Sequence, residues 1–464
     1  MVSHKRLMAL ILMLALVLPV LAACGGGNTG SPATAVPGSG TGGATAVPGG
    51  GTGGNAPGSA GASGDVTRIQ VEEGADIRIV VNGNPTEQQL YQDGVKRFNE
   101  VFPNVKVTVE VNTQDYETKM KAAFAAGTGP DVLLLPPQLL GAFGPEGLLL
   151  PLDEAMVEAG AQKTDYVDSL ISLFTIENQT LGLPKDFNPL VVFVNSDIAQ
   201  QAGVDPATIK TWDDLKAASQ KMTSGEGASK VYGMCLNPDI QRVGAAFLQN
   251  NNPMIQDGKA VFNNEQGVAA LDYWYSFKTD GSGELFKQLG KNWCGEALAS
   301  KVTAMAVEGG WLVPFMADPN NNATDVKYTA IPLPTPADGK PATWVFTNAF
   351  GVNARTKFPK AAAALAIFLT SANNQKALIP SGLAQPTIKE LINDPYYQQN
   401  PVAKVLVEQG RSGFSVDETL GGPTRVGDVV GRLNQAVEAV FLGQTPTRDA
   451  LNQAARDIEP ILGQ

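Results

Sequence analysis

From Ile77 onward the chain alternates short apolar runs with amphipathic ones, and that order limits its folds more than any single residue does. Ile77-Arg78-Ile79-Val80-Val81 is rich in β-branched residues and reads as a strand. Thr86 to Val101 places Leu90, Val95, Phe98 and Val101 near helical spacing, which predicts a helix. Val105 to Val111 alternates Val with polar residues, the period of a strand. Asp115 to Ala126 reads as a helix stopped by Gly127. Val132-Leu133-Leu134-Leu135 is continuously apolar, as a parallel strand covered on both faces must be. A β-α-β-α-β order needs crossover connections, so it predicts an α/β domain with a mostly parallel sheet.

The pattern returns further on. Val191 to Val194 reads as a strand, and Thr211-Trp212-Asp213-Asp214-Leu215 opens a helix with Thr211 as N-cap. Val302 to Val307 and Phe350 to Val352 are β-like, and Lys360 to Leu369 is an Ala-rich helix behind Pro359. Val426 to Ile461 reads as helices broken at Gly443 and Pro446. A chain of 464 residues has room for two or three such domains.

The composition removes whole classes of chemistry. The single histidine, His4, sits in a segment expected to be cut away. Without imidazole there is no Ser-His-Asp or Cys-His nucleophile, no His-ligated zinc and no histidine pH switch. With 34 Lys+Arg against 45 Asp+Glu, the net charge of −11 opposes phosphate contacts, so nucleic acid is not expected as a partner.

The N-terminus has the layout of an export signal. Lys5 and Arg6 precede an apolar stretch from Leu7 to Ala23, too short for an ordinary spanning helix. Leu21-Ala22-Ala23-Cys24 resembles the lipobox of bacterial lipoproteins, which implies a signal peptide over 1–23 and a lipidated Cys24 as mature N-terminus. Residues 25–64 carry no charged and no aromatic side chain and repeat ATAVPGSGTGG (33–43) as ATAVPGGGTGG (44–54). Such a segment has nothing to bury, so 24–64 is expected to be a lipidated Gly-rich tether with a mean span of about 35 Å. Its two G-x-G-x-x-G matches, Gly38–Gly43 and Gly49–Gly54, follow no strand and open no helix, so they do not bind dinucleotide.

Several ordered motifs resemble the extracellular solute-binding proteins of ABC importers, in their sugar-binding, maltose-binding-protein-like group. They are Phe98-Asn99-Glu100 with Pro103 and Val105, Ala125 to Val132, and Gly147-Leu148-Leu149 with Pro151-Leu152-Asp153. Leu183-Pro184 with Val194-Asn195-Ser196-Asp197, Thr211 to Leu215, and Ala304 to Trp311 continue the set. Two positions depart from the family: Val194 stands for its Tyr, and Asn82-Gly83-Asn84 lies where sugar binders often carry an aromatic. The resemblance implies an α/β, two-lobe periplasmic-binding-protein-like fold of type II, each lobe a sheet domain, with the ligand cleft between them. Matching the motifs puts lobe one at 75–189 with 331–385, and lobe two at 190–330 with 386–464. It also implies a monomer without cofactor or metal, whose partners are a mono- or oligosaccharide and the permease subunits of an ABC importer. Its place would be extracytoplasmic, held to the membrane through the lipid alone.

A sugar site needs aromatic faces for the ring and amides or carboxylates for the hydroxyls. Trp311, behind Gly309-Gly310, and Trp344, before the Phe350-Gly351-Val352 run, match family positions facing the cleft. Trp212 and Trp274 read as packing residues. Asp186 and Asn188 follow Leu183-Pro184 at a lobe crossover, and Asn348 lies near Trp344. Gln138 follows the end of the 132–135 strand, where open α/β sheets bind ligands. Tyr116 opens a helix, and Arg425 is a candidate for a hydroxyl or carboxylate, with a surface salt bridge as its alternative. Asp131 is expected to support its strand, and Asp318 to Asn322 lacks the Gly and Glu of a calcium loop.

Cys235 and Cys294 remain once Cys24 is lipidated, and in an exported chain they predict one disulfide within lobe two. The leading function is solute capture by lobe closure. The alternatives are a non-sugar solute such as a polyamine, organic phosphate or iron complex, a carboxylate-dependent polysaccharide hydrolase, and a surface adhesin.

Overall fold

The computed structural model describes residues 64–463, all within one compact unit. The expected signal segment with His4, the lipidation site Cys24 and the Gly-rich tether to residue 63 lie outside the described residues. Among the described residues no helix is long and apolar enough to cross a membrane.

Eleven strands build two large sheets. In chain order they are β1 (Asp76–Val81), β2 (Lys106–Val111), β3 (Val132–Leu135), β4 (Leu183–Pro189), β5 (Val191–Asn195) and β6 (Tyr232–Leu236). Then come β7 (Gly283–Leu285), β8 (Thr303–Glu308), β9 (Tyr328–Ile331), β10 (Thr343–Val352) and β11 (Gly413–Ser415). The first sheet runs β11-β10-β3-β1-β2, with β4 also paired to β10. As expected, β1 lies parallel to β2 and β3. β10 runs antiparallel to β3 and β4, because it enters from the other lobe rather than through a crossover helix. The second sheet runs β7-β6-β8-β5-β9, with β6 parallel to β7 and β8 and β5 antiparallel to β8 and β9.

Local chemistry explains where the helices start. Asn84 caps the helix Pro85–Val101 by accepting from the Glu87 N–H, while the Glu87 carboxylate accepts from the Asn84 N–H. The same reciprocal pair joins Thr211 and Asp214 at the start of Trp212–Met222, as the sequence predicts for Thr211. The C-terminal helices Val426–Phe441 and Thr447–Leu462 are separated at Gly443, whose φ of 69° suits glycine.

Each sheet has its own core. Ile77, Phe98, Leu133, Tyr166, Phe174 and the Ala-rich helix Pro359–Leu369 fill the first. Val192, Met234, Phe247, Phe277, Met305 and the two C-terminal helices fill the second. Around the sequence-based boundary at 385 the packing is shared. Ile388, Leu391 and Tyr397 pack in the first core. The helix Pro401–Gly410 sends Ala403 and Val407 to the first and Leu406 to Val191, Phe193 and Ala330 of the second sheet, and the second core continues from Val416. The helix Pro401–Gly410 thus lies against both bodies, and β11 returns the chain to the first sheet before Val416 enters the second core. The expected disulfide Cys235–Cys294 is formed, joining β6 to the helix Cys294–Ala299 on the second sheet.

The bodies are linked by adjacent crossings. β4 passes through Leu190 straight into β5, and β9 leads on to β10. Thr343 ties the two crossings together: its Oγ1 accepts from the Leu190 N–H at 3.0 Å and donates to the Leu190 carbonyl at 2.9 Å. A second bond of this kind joins the Leu333 N–H to Gln409 Oε1 at 3.0 Å.

Candidate functional site

Alternation along β4 and β10 builds the floor of a cleft. Phe346 sits opposite Asn188, and Asn348 opposite Asp186. Side chains two apart on a strand share a face, so these four form one patch. They face a space of about 420 Å³ walled by Asp239, Gln241, Arg242 and Trp311 from the second lobe, with Glu87 and Leu383. A second space of about 660 Å³ is lined by Asn82, Gly83, Asn84, Asp115, Tyr116, Glu117, Thr118 and Pro136 of the first lobe. Glu87 and Asn348 line both, so the two spaces adjoin.

The close approach of the walls depends on Gly309-Gly310. The Gly310 N–H donates to Asn188 Oδ1 at 3.1 Å, and a Cβ there would lie 2.7 Å from both Asn188 Oδ1 and the Leu383 carbonyl. A Cβ at Gly309 would meet the Trp311 ring at 2.4 Å, so the indole folds flat over bare backbone. Trp311 Nε1 donates to Glu308 Oε2 at 2.9 Å, and its ring stands edge-on to Phe346 with centroids 5.8 Å apart. The Arg242 guanidinium lies over both rings, 5.2 Å from Trp311 and 5.6 Å from Phe346.

Two buried charge groups stand behind this surface. Lys185, 5% exposed, pairs with Asp186 and lies 3.8 Å from Glu87 and 5.5 Å from the Tyr91 ring centre. Burial alone would lower its ammonium, but the charges of Asp186 and Glu87 outweigh that and hold it above the usual lysine range. Burial raises the Glu87 carboxyl, with Lys185 opposing. Glu308, at the end of β8, has no exposed surface; burial raises its carboxyl against the pull of Arg242. The wall also contains Asp115, which holds a left-handed φ of 51° at the start of Tyr116–Ala125 without capping it.

Of the sequence candidates, Asp186, Asn188, Asn348 and Trp311 meet at the floor, and Tyr116 lines the first-lobe space. The Tyr116 hydroxyl is engaged, donating to the Val80 and Leu134 carbonyls at 3.0 and 2.7 Å, so only its ring is on offer. Trp344 must be corrected: it shares the face of Phe346 and Asn348 but is 0% exposed in the second core. Gly244 lies against its ring, where a Cβ would meet Cη2 at 2.4 Å, so the second lobe covers it. Gln138, in the helix Pro137–Phe143, and Arg425, at the start of Val426–Phe441, are half-buried and line neither space. Asp131 supports its strand as expected, accepting from the Arg78 N–H and the Thr356 hydroxyl. Sequence reasoning missed Glu87, Lys185, Asp239, Arg242 and Glu308. Glu308 alone had a signal: it is the one charge in the buried strand Thr303–Glu308.

Among the described residues no cluster of His, Cys, Asp and Glu has the arrangement of a metal site. Two lobes around a polar cleft with an aromatic wall define a binding protein that closes on a small solute. Residues 94–405 match the family described as bacterial extracellular solute-binding protein, and the chain belongs to that family.

The galactooligosaccharide-binding protein of Bacillus subtilis (strain 168) is 27% identical over 341 residues, 71% of this chain and 76% of that protein. An ABC substrate-binding protein from Listeria monocytogenes, solved with cycloalternan, superposes with a TM-score of 0.75 at 20% identity, covering 84% of this chain and 100% of that one. UgpB from Mycobacterium tuberculosis, solved with glycerophosphocholine, gives 0.72 at 19% identity, covering 84% and 98%.

Proposed function

We propose that this chain is a lipid-tethered, monomeric receptor that captures an oligosaccharide between its lobes and delivers it to the permease subunits of an ABC importer, without cofactor or catalysis. The observation that carries this reading is the floor itself: Asp186, Asn188 and Asn348 offer carboxylate and amide groups for hydroxyls beside the Trp311–Phe346 aromatic wall. The galactooligosaccharide-binding relative and the cycloalternan-bound neighbour support it. The adjoining 660 Å³ space supplies length for more than one sugar unit. The moving bodies are those around the two sheets. Lys185 pairs with Asp186 and lies 3.8 Å from Glu87, so these carboxylates are tied to a buried cation and do not form a free acid-base pair.

Calorimetry against galactooligosaccharides and linear and cyclic glucans tests the reading. Binding to at least one, weakened about tenfold or more in Trp311→Ala, is the expected result. No heat and no thermal stabilisation across the panel would overturn it. A cationic solute such as a polyamine is the second reading, favoured by the excess of Glu87, Asp115, Glu117, Asp186 and Asp239 over Lys185 and Arg242 along the cleft. Spermidine in the same panel discriminates the two.

A further inference from the structure

The aromatic wall is held from behind. Glu308 ends a strand in which every residue is buried, and its own side chain has no exposed surface, so a solute in the cleft cannot touch it. Yet its Oε2 is the partner of two cleft-lining side chains at once. Trp311 Nε1 donates to it at 2.9 Å, and Arg242 Nη2 lies 3.5 Å away. The third member of the wall, Phe346, is held by the other two, through the edge-on Trp311 contact and the Arg242 guanidinium above it. Taking a carboxylate out of water is costly unless it is paired, and beside a backbone hydrogen bond from Gly295 the side-chain pairing here goes to the groups that shape the cleft.

We infer that Glu308 is a positioning residue: it sets the pose of the Trp311 indole and the Arg242 guanidinium, and through them the face the cleft presents. Two consequences follow from the geometry. The Trp311 N–H is occupied by Glu308, so the indole meets a solute through its ring and not as a donor. Arg242 lies across the Trp311 and Phe346 rings, so a solute that stacks on the covered faces must move it, whereas one that docks beside it uses its remaining N–H donors. The role also explains the bare backbone at Gly309: an indole tied back to Glu308 folds onto that residue, and a Cβ there would clash at 2.4 Å. This inference rests on the cleft being the solute site.

The test compares wild type with E308Q, E308A and W311F, using 15N-labelled side chains without ligand and then galactotriose as probe. W311F identifies the Trp311 indole signal by its loss. E308Q keeps an acceptor for the indole but no charge for Arg242. Its Trp311 indole N–H is expected to stay protected from exchange, while the Arg242 Nε–H shifts and exchanges faster. E308A is expected to release both. Unchanged Trp311 and Arg242 signals in E308A, or in E308Q should E308A not fold, would overturn the inference. With galactotriose, E308Q is expected to bind about tenfold more weakly than wild type, while its denaturant midpoint tracks that of W311F. Equal affinity in wild type and both Glu308 variants also overturns it. Wild type that ignores galactotriose, with the ligand-free shifts as expected, counts against the oligosaccharide reading and supports the positioning role.

Discussion

The two tryptophans expected at the site separate into two jobs. Trp311 stands half-buried at the cleft, while Trp344 is sealed in the second core with Gly244 against its ring. Truncating a fully buried Trp removes a large packed volume, so Trp344→Ala should lower unfolding stability by about 3–5 kcal/mol. The folded fraction should keep its affinity, which denaturant titration followed by calorimetry would show. Trp311→Ala should do the reverse, losing affinity with little change in midpoint. Sequence could not tell them apart. Both lie at strand ends near small residues, and only the packing of Ile240–Val243 and Ala245–Gln249 over β10 decides which ring is covered. The Lys185–Asp186–Glu87 group was hidden for a related reason: Glu87 is brought to Lys185 by tertiary packing, and no local spacing announces it.

Helices and strands were more legible than side-chain clusters, because caps and periodicity act over a few residues. The Thr211 cap and the strands at 77–81 and 132–135 were readable for that reason. β10 was not: it runs from Thr343, and burial on both faces erases the alternation that would mark it. Between elements, Asp280 joins the helix Glu265–Thr279 to Trp212–Met222. It pairs with Lys216 at 2.8 Å, and accepts from Gln220 at 2.6 Å and from the Ser282 N–H and hydroxyl at 2.9 and 2.7 Å. Burial pushes its carboxyl up, but these partners outweigh it and hold it down at about 2. A depressed carboxyl stabilises the fold above its unfolded value of 3.8 and loses that contribution as pH falls through about 2. Asp280→Asn should therefore be less stable than wild type at pH 7, with the gap closing between pH 4 and 2 in urea titrations. The Cys235–Cys294 link acts inside the second body. Replacing both cysteines with Ser should cost about 4 kcal/mol by the loop-entropy account, while binding isotherms of the folded variant stay unchanged.

At the scale of the molecule, function depends on how the bodies meet. The first-lobe helix Pro137–Phe143 touches the Pro423–Thr424 loop of the second, and a Cβ at Gly141 would lie 2.4 Å from the Pro423 carbonyl. Gly141→Ala should hold the lobes apart. The expected readout is a larger radius of gyration by small-angle scattering and affinity reduced about tenfold through a smaller closed fraction. Unchanged scattering would show that this contact does not limit closure. The two-lobe plan itself was legible from ordered motifs, but the third crossing was not, since the amphipathic run 388–407 could cover either body. Those crossings also set an order of assembly. All five strands of the second sheet lie within 191–331, whereas the first sheet lacks β10 and β11 until residues 343–415 arrive. In a chain emerging N-terminus first, the earliest-made half must wait, unpaired along β3, for the last strands to return. The binding cleft is thus among the latest features to exist, and a truncated product lacking its final third has no floor on which a solute could rest.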